Sequence, residues 1–238
     1  MTAKTRTGTL LLTILAGVMC AALPAAAEWN IDLYGGASWT QSADFQVRGK
    51  GDASGTQLTI FDIGADTGFT FGLRSGYWFD SIPFLGLDLD VFYVHTSVPS
   101  QSRTGTATFT GEFNGKPISV SASGEATIPS ITVPLFGFAP EVRLRWPLMV
   151  DNTFRAGRLQ PYLSGGPAWA FSLDSDSVDV EFGGKFGGGV SYNITPTIAL
   201  FGEYRYLFFP DFKLTSSNFT YTVDIFTHSA IAGISFRF

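Results

Sequence analysis

The final eleven residues, HSAIAGISFRF from His228 to Phe238, constrain the chain more than any other stretch. Counted back from the terminal Phe238, Phe236, Ile234, Ala232 and Ala230 are apolar. Arg237, Ser235 and Gly233 between them are polar or small, with Ile231 the exception. A period of two is that of a β-strand, whose successive side chains point to opposite faces. A strand with one greasy face, closing on a terminal aromatic, suits a β-barrel that spans a lipid bilayer.

The amino end reads as a separate unit. Lys4 and Arg6 precede an apolar run from Leu10 to Leu23, and Ala25-Ala26-Ala27 stands before Glu28. A basic start, a short apolar core and small residues at the end predict a secretory signal over residues 1–27, cleaved after Ala27. The run is shorter than the roughly 20 residues that a spanning helix needs. Gly17, Val18 and Met19 before Cys20 lack the pattern of a lipid-modified cysteine. The mature chain, 28–238, holds 13 basic against 20 acidic residues and no cysteine, since Cys20 is the only one. That balance excludes a nucleic-acid partner, which would need a basic surface. Disulfides and thiolate metal sites are excluded with the cysteine.

Seven more segments alternate as the last one does. They run over Trp29–Trp39, Thr67–Phe79, Leu85–His95, Thr132–Trp146, Pro161–Leu173, Phe182–Ile194 and Thr197–Phe208. Each is long enough for a tilted strand to cross the hydrocarbon core. An even count closes without an exposed edge, which lipid would not tolerate. The expected fold is all-β, an eight-stranded antiparallel up-and-down transmembrane β-barrel over 28–238. Proline withholds a ladder donor, so bulges are expected near Pro140 and Pro167, and Pro134 near a strand end. Asp80–Phe84, Thr195-Pro196 and the middling Pro147–Gln160 read as inner turns. Thr40–Asp66, Thr96–Ile131, Asp174–Glu181 and Phe209–Phe226 read as outer loops. The longest loop carries TATFTGEF and PISVSASGEATI around Asn114-Gly115, a favoured hairpin turn, so the strands beside it are expected to rise above the membrane.

Opposite the greasy face lie Asp32, Asp88, Asp90, Glu141 and Glu203 with Arg74, Arg143, Arg145, Lys185, Arg205 and Arg237. An eight-stranded barrel is just wide enough for its side chains to fill it. These eleven charges must therefore pair, and the packed ionic core blocks a wide pore. Gly183, Gly187 and Gly189 share the inward parity and could leave a gap for small solutes. Aromatics near segment ends, among them Trp29, Trp39, Tyr77, Tyr93, Trp169 and Tyr206, read as interfacial girdles.

The signal, WNIDLYGG from Trp29, PYLSGGPAW from Pro161 and GGKFGGGVSYNITPTIALFGEYRY from Gly183 resemble the outer-membrane β-barrel domain superfamily. That group holds the transmembrane domain of outer membrane protein A, OmpX-like proteins and neisserial opacity proteins. The resemblance spans Glu28 to Phe238. It implies a bacterial outer-membrane location, with lipopolysaccharide and other outer-membrane lipids as surroundings. It also implies that Phe238 belongs to the signal read by the outer-membrane assembly machinery, and that Glu203 and Arg205 charge the interior. No peptidoglycan-binding domain follows, so no cell-wall tether is expected.

Three functions fit. The first is a non-enzymatic, monomeric surface barrel whose loops bind a surface ligand for adhesion or envelope integrity. The second is a narrow small-solute channel. The third is a lipid A-modifying enzyme, which needs a nucleophile and a histidine base within reach. Only His95 and His228 are available, and Ser229 beside His228 points to the other face. The two histidines lack ligand spacing, so no metal or cofactor is expected.

Overall fold

The computed structural model describes residues 28–51, 54–114, 116–173, 178–215 and 218–238; the expected signal peptide lies outside them. Twelve strands form one antiparallel sheet. They are β1 (Glu28–Thr40), β2 (Ala43–Gly49), β3 (Thr56–Ile63), β4 (Gly68–Phe79), β5 (Ile82–Val98) and β6 (Gln101–Phe113). The rest are β7 (Lys116–Ile128), β8 (Ile131–Arg145), β9 (Leu159–Leu173), β10 (Val178–Asn193), β11 (Ile198–Thr215) and β12 (Phe219–Arg237).

Eight of them close a ring in the order β1-β4-β5-β8-β9-β10-β11-β12, with β12 pairing back onto β1. These are the eight segments the alternation marks. The closure runs from Asn30↔Arg237 to Thr40↔Thr227, eleven consecutive partners, so no ring strand has a free edge over that length. Beyond the register, the main chain of Phe238 exchanges hydrogen bonds with Trp29, at 2.9 and 3.1 Å.

Of the remaining four strands, β2 and β3 correct an expected loop, and β6 and β7 form the hairpin expected within the longest one. Thr40–Asp66 carries β2 and β3, and Thr96–Ile131 carries β6 and β7, with Asn114 at φ +53° in the hairpin turn. β5 and β8 stay paired up to Val98↔Ile131, as expected beside that hairpin. The segment Phe209–Phe226 is mostly strand, because β11 and β12 stay paired to Thr215↔Thr220. Above the ring, β12 pairs with β2 over Phe219–Val223, and β3, β6 and β7 follow in order. β11, β12 and the four added strands thus make a six-stranded extension of one side of the ring.

The expected bulges at Pro140 and Pro167 are absent. The β8–β9 register is the same on both sides, Phe138↔Trp169 and Val142↔Gly165, with the ladder interrupted between. Both prolines sit in that interruption, where no donor is required of them. Register shifts lie elsewhere: at Trp78/Phe79 beside the β4–β5 turn, at Ala43/Phe45 in the β2–β3 ladder, and between Phe209↔Ile225 and Phe212↔Val223. Asp211 there takes φ +52°, and its N–H donates to the Asp224 carboxylate at 2.9 Å. The extra residue turns Phe212 inward with Phe209 rather than away from it.

Candidate functional site

The lumen is stacked in layers, each built from inward positions of the ring. At the turn end, Arg145 donates to Glu28 through both terminal nitrogens, at 3.1 and 2.7 Å, and Arg237 reaches Glu28 at 3.0 Å. The Arg145 guanidinium lies 4.0 Å from the Trp78 ring centre, and Arg237 also donates to Gln160 at 2.9 Å.

The middle layer ties strands across the barrel. Arg74 on β4 donates to Asp32 on the adjacent β1 at 2.9 Å and to Glu203 on β11 at 2.7 Å. Arg143 pairs with Asp88 and lies 3.3 Å from Asp32. Lys185 pairs with both Asp90 and Glu141. Arg205 reaches Asp90 at 3.2 Å and Glu203 at 3.0 Å. Two tyrosines complete the set: Tyr34 donates to Asp90 at 2.8 Å and Tyr162 to Glu203 at 2.9 Å. Arg74, Asp90, Lys185 and Arg205 have no exposed surface at all.

The structure therefore gathers all eleven sequence-named charges in one lumen, and adds Glu28. Its signal was available, since Glu28 shares the even parity of Asn30 and Asp32, but it abuts the expected cleavage site. With Glu28 the lumen holds six acids and six bases among the described residues, so the balance is even. The inward glycines leave no gap. A methyl on Gly187 would meet Ser164 Oγ at 2.8 Å and Glu203 Oε1 at 3.0 Å. Gly189 abuts Tyr162, and Gly183 abuts Phe209.

A third layer, which the sequence reading missed, caps the charges toward the loops. Phe92, Val94, Leu135, Ala139, Ala168, Ala170, Leu207, Phe209 and Phe212 form one buried apolar cluster, with Val223 and Ile225 packed against it. Above it the two faces of the wall exchange character, and β12 shows this along a single strand. Its outward side runs Phe236, Ile234, Ala232, Ala230, His228, Phe226, then Asp224, Thr222, Thr220. Its inward side runs Arg237, Ser235, Gly233, Ile231, Ser229, Thr227, then Ile225, Val223, Tyr221, Phe219.

Pairing carries the polar outward side across the extension. Thr222 stands opposite Gln46, Gln46 opposite Thr59, Thr59 opposite Thr106 and Thr106 opposite Ser123. Three cross-strand hydroxyl pairs, Ser102–Thr127, Thr106–Ser123 and Thr108–Ser121, each close at 3.0 Å.

Both histidines face outward where the character changes. His228 stacks on Trp39 at 6.0 Å and bonds the Tyr204 hydroxyl at 2.5 Å; His95 stacks on Phe69 at 4.7 Å. Ser229 is fully buried on the opposite face of β12 from His228, so the pair cannot act together. At the turn end Trp29, Tyr77 and Phe79 form the second aromatic cluster.

The profile of the family described as outer membrane protein beta-barrel domain matches residues 13–238. Among solved structures, Neisserial surface protein A is similar at 13% identity, over 90% of this chain and 98% of that one, with a TM-score of 0.45. OprG from Pseudomonas aeruginosa is similar at 12% identity, over 90% and 96%, with a TM-score of 0.46. The N-terminal β-barrel domain of OprF from the same organism gives 12%, 89%, 97% and 0.37. No curated protein matches the chain by sequence.

Proposed function

The chain belongs to the outer membrane protein beta-barrel domain family, and on that premise we propose that it is a non-enzymatic, monomeric surface protein whose extramembrane sheet binds a ligand outside the cell. The ring is the anchor, and the six-stranded extension is the working part. The observation that carries this reading is the exchange of faces along β12, from apolar to hydroxyl-rich on the outside. A lipid-facing wall needs the first character, and a wall in water needs the second. The hydroxyl face offers regularly spaced donors and acceptors to a polar partner, such as matrix, lipopolysaccharide or a neighbouring protein. Residues 1–27 act as the cleaved signal in this reading, and Phe238, outward and largely exposed, serves the assembly machinery. The paired charges close the lumen, so the barrel conducts no solute.

Deleting Gln101–Ile128 and joining Val98 to Ile131 by a short turn tests the proposal. The ring pairs without β6 and β7, so the variant should keep heat-modifiable gel migration. Cells displaying it should lose adhesion to matrix-coated wells and retention on immobilised lipopolysaccharide. Planar-bilayer recordings of the intact protein should show no conductance steps. Unchanged binding on both surfaces, or stepwise conductance, would overturn the reading.

A further inference from the structure

Between the apolar cap of the lumen and the extension lies a cavity of about 200 Å³. Leu135 and Phe212 of the cap contribute to its walls, as do Phe45, Ile63, Ile128 and Val223 from the extension and its approaches. An apolar cavity of about 150 Å³ stays dry and takes up benzene, so this one has room for a substituted ring. Its walls are almost wholly carbon, and three threonine hydroxyls gather at one place. Thr40 on β1 bonds Thr227 on β12 at 2.9 Å and lies 3.4 Å from Thr96 on β5. The second separation is long for a hydroxyl pair, and a ligand hydroxyl can bond both oxygens.

Charge narrows the class further. Among the described residues, no Lys, Arg or His lines the cavity. The one ionisable group at its wall among the described residues is Asp224, which is exposed on the outward side of β12 and already bonded to the Asp211 N–H. An anionic ligand would leave its charge unpaired among apolar walls, at a high desolvation cost. Below, Phe92, Leu207 and Phe209 are buried to 1% exposure or less, so the cavity is blind toward the ionic core. Apolar walls with a few convergent polar groups are the usual make-up of a small-molecule site.

We propose that the mouth of this barrel is a binding site for a small, uncharged, mainly apolar molecule bearing one hydroxyl group, held by Thr40, Thr96 and Thr227. The site is separate from the outward hydroxyl face, and its occupancy does not depend on what that face binds.

The test is calorimetric titration of the full mature chain in lipid nanodiscs, with empty nanodiscs subtracted. The probes are p-cresol, toluene and 4-methylbenzoate, one ring with a hydroxyl, no polar group and a carboxylate. The expected order is p-cresol, then toluene, then 4-methylbenzoate, with about tenfold or more between first and last, equivalent to about 1.4 kcal/mol. Ala65→Phe and Ala43→Phe, each filling the cavity from its wall, should abolish p-cresol binding. Thr40→Val should weaken p-cresol several-fold and leave toluene unchanged, a split that general loosening would not produce. Heat-modifiable migration identifies variants that fold. Should none fold, the probe order on the unaltered chain decides. Binding of 4-methylbenzoate as tight as that of p-cresol would overturn the proposal. So would p-cresol heat no greater than that of empty nanodiscs, or folded filling variants that bind as the parent does.

Discussion

Replacing Arg74 by methionine probes the ionic lumen at its most connected point. The guanidinium is fully buried and holds Asp32 at 2.9 Å and Glu203 at 2.7 Å, with Glu141 at 3.9 Å. Removing one partner of a buried pair costs about 3–5 kcal/mol, because the other charge stays in a low-dielectric site. Here each orphaned acid keeps a second donor. Asp32 retains Arg143 at 3.3 Å, and Glu203 retains Arg205 at 3.0 Å and the Tyr162 hydroxyl at 2.9 Å. The loss should therefore fall at the lower end of that range, about 3 kcal/mol. Methionine approximates the length of the side chain and keeps contact with Phe201, whose ring centre lies 5.4 Å from the guanidinium carbon. Urea titration in lipid vesicles, read by heat-modifiable migration, measures it. With a slope of about 1–3 kcal/mol per molar, the midpoint should fall by roughly 1–3 M. Arg48→Gln, exposed on the extension, is the control and should change stability by no more than about 0.5 kcal/mol. A loss below about 1 kcal/mol for Arg74→Met would refute the reasoning, because that is the worth of a solvated surface pair.

Three further substitutions use the same titration. Gly76→Ala places a methyl onto Asp88 Oδ1, the acid that Arg143 holds, and should cost about 1–3 kcal/mol through overpacking. Gly35→Ala, on the outward parity of β1, meets nothing closer than 3.6 Å and should be neutral or stabilising by up to about 1 kcal/mol. Glu28→Gln leaves Arg145 and Arg237 facing each other without their shared acid. That carboxylate is a quarter exposed, so the cost should be about 1.5–3 kcal/mol for its charged hydrogen bonds and no larger than that of Arg74→Met.

The ring was legible because lipid outside and a filled lumen inside impose strict alternation on every strand. Arg74, Glu141 and Arg205 each stand among apolar neighbours of the opposite parity, and a period of two needs no tertiary knowledge. The lumen's partners were not legible in the same way. Glu203 meets Arg74 across the barrel from β11 to β4, a contact set by the stagger of the whole ring. Tyr34 and Tyr162 carry no formal charge, so counting charges passed over them. The apolar cap escaped notice because Phe92 and Leu207 sit on the parity assigned to polar groups. β6 and β7 were foreshadowed by Asn114-Gly115. β2 and β3 lie in a segment whose alternation is short and mixed, and their pairing to β12 is a long-range choice.

The exchange of faces also explains which part of the molecule depends on the other. β1 pairs with both β4 and β12, so the ring has its hydrogen bonds without any added strand. The added strands join it through one ladder, Phe219–Val223 against Phe45–Gly49, and by chain continuity. Their apolar side needs cover, and the upper lumen supplies it through Val223, Ile225 and the cap beneath. The extension is thus stabilised by the ring far more than the ring is by the extension. Its exposed strands can change in sequence while the outward Ala230–Phe236 stripe and the paired charges behind it still satisfy the membrane and the lumen. Variation in such a protein should therefore concentrate above His228 and Phe226, where the wall leaves lipid for water.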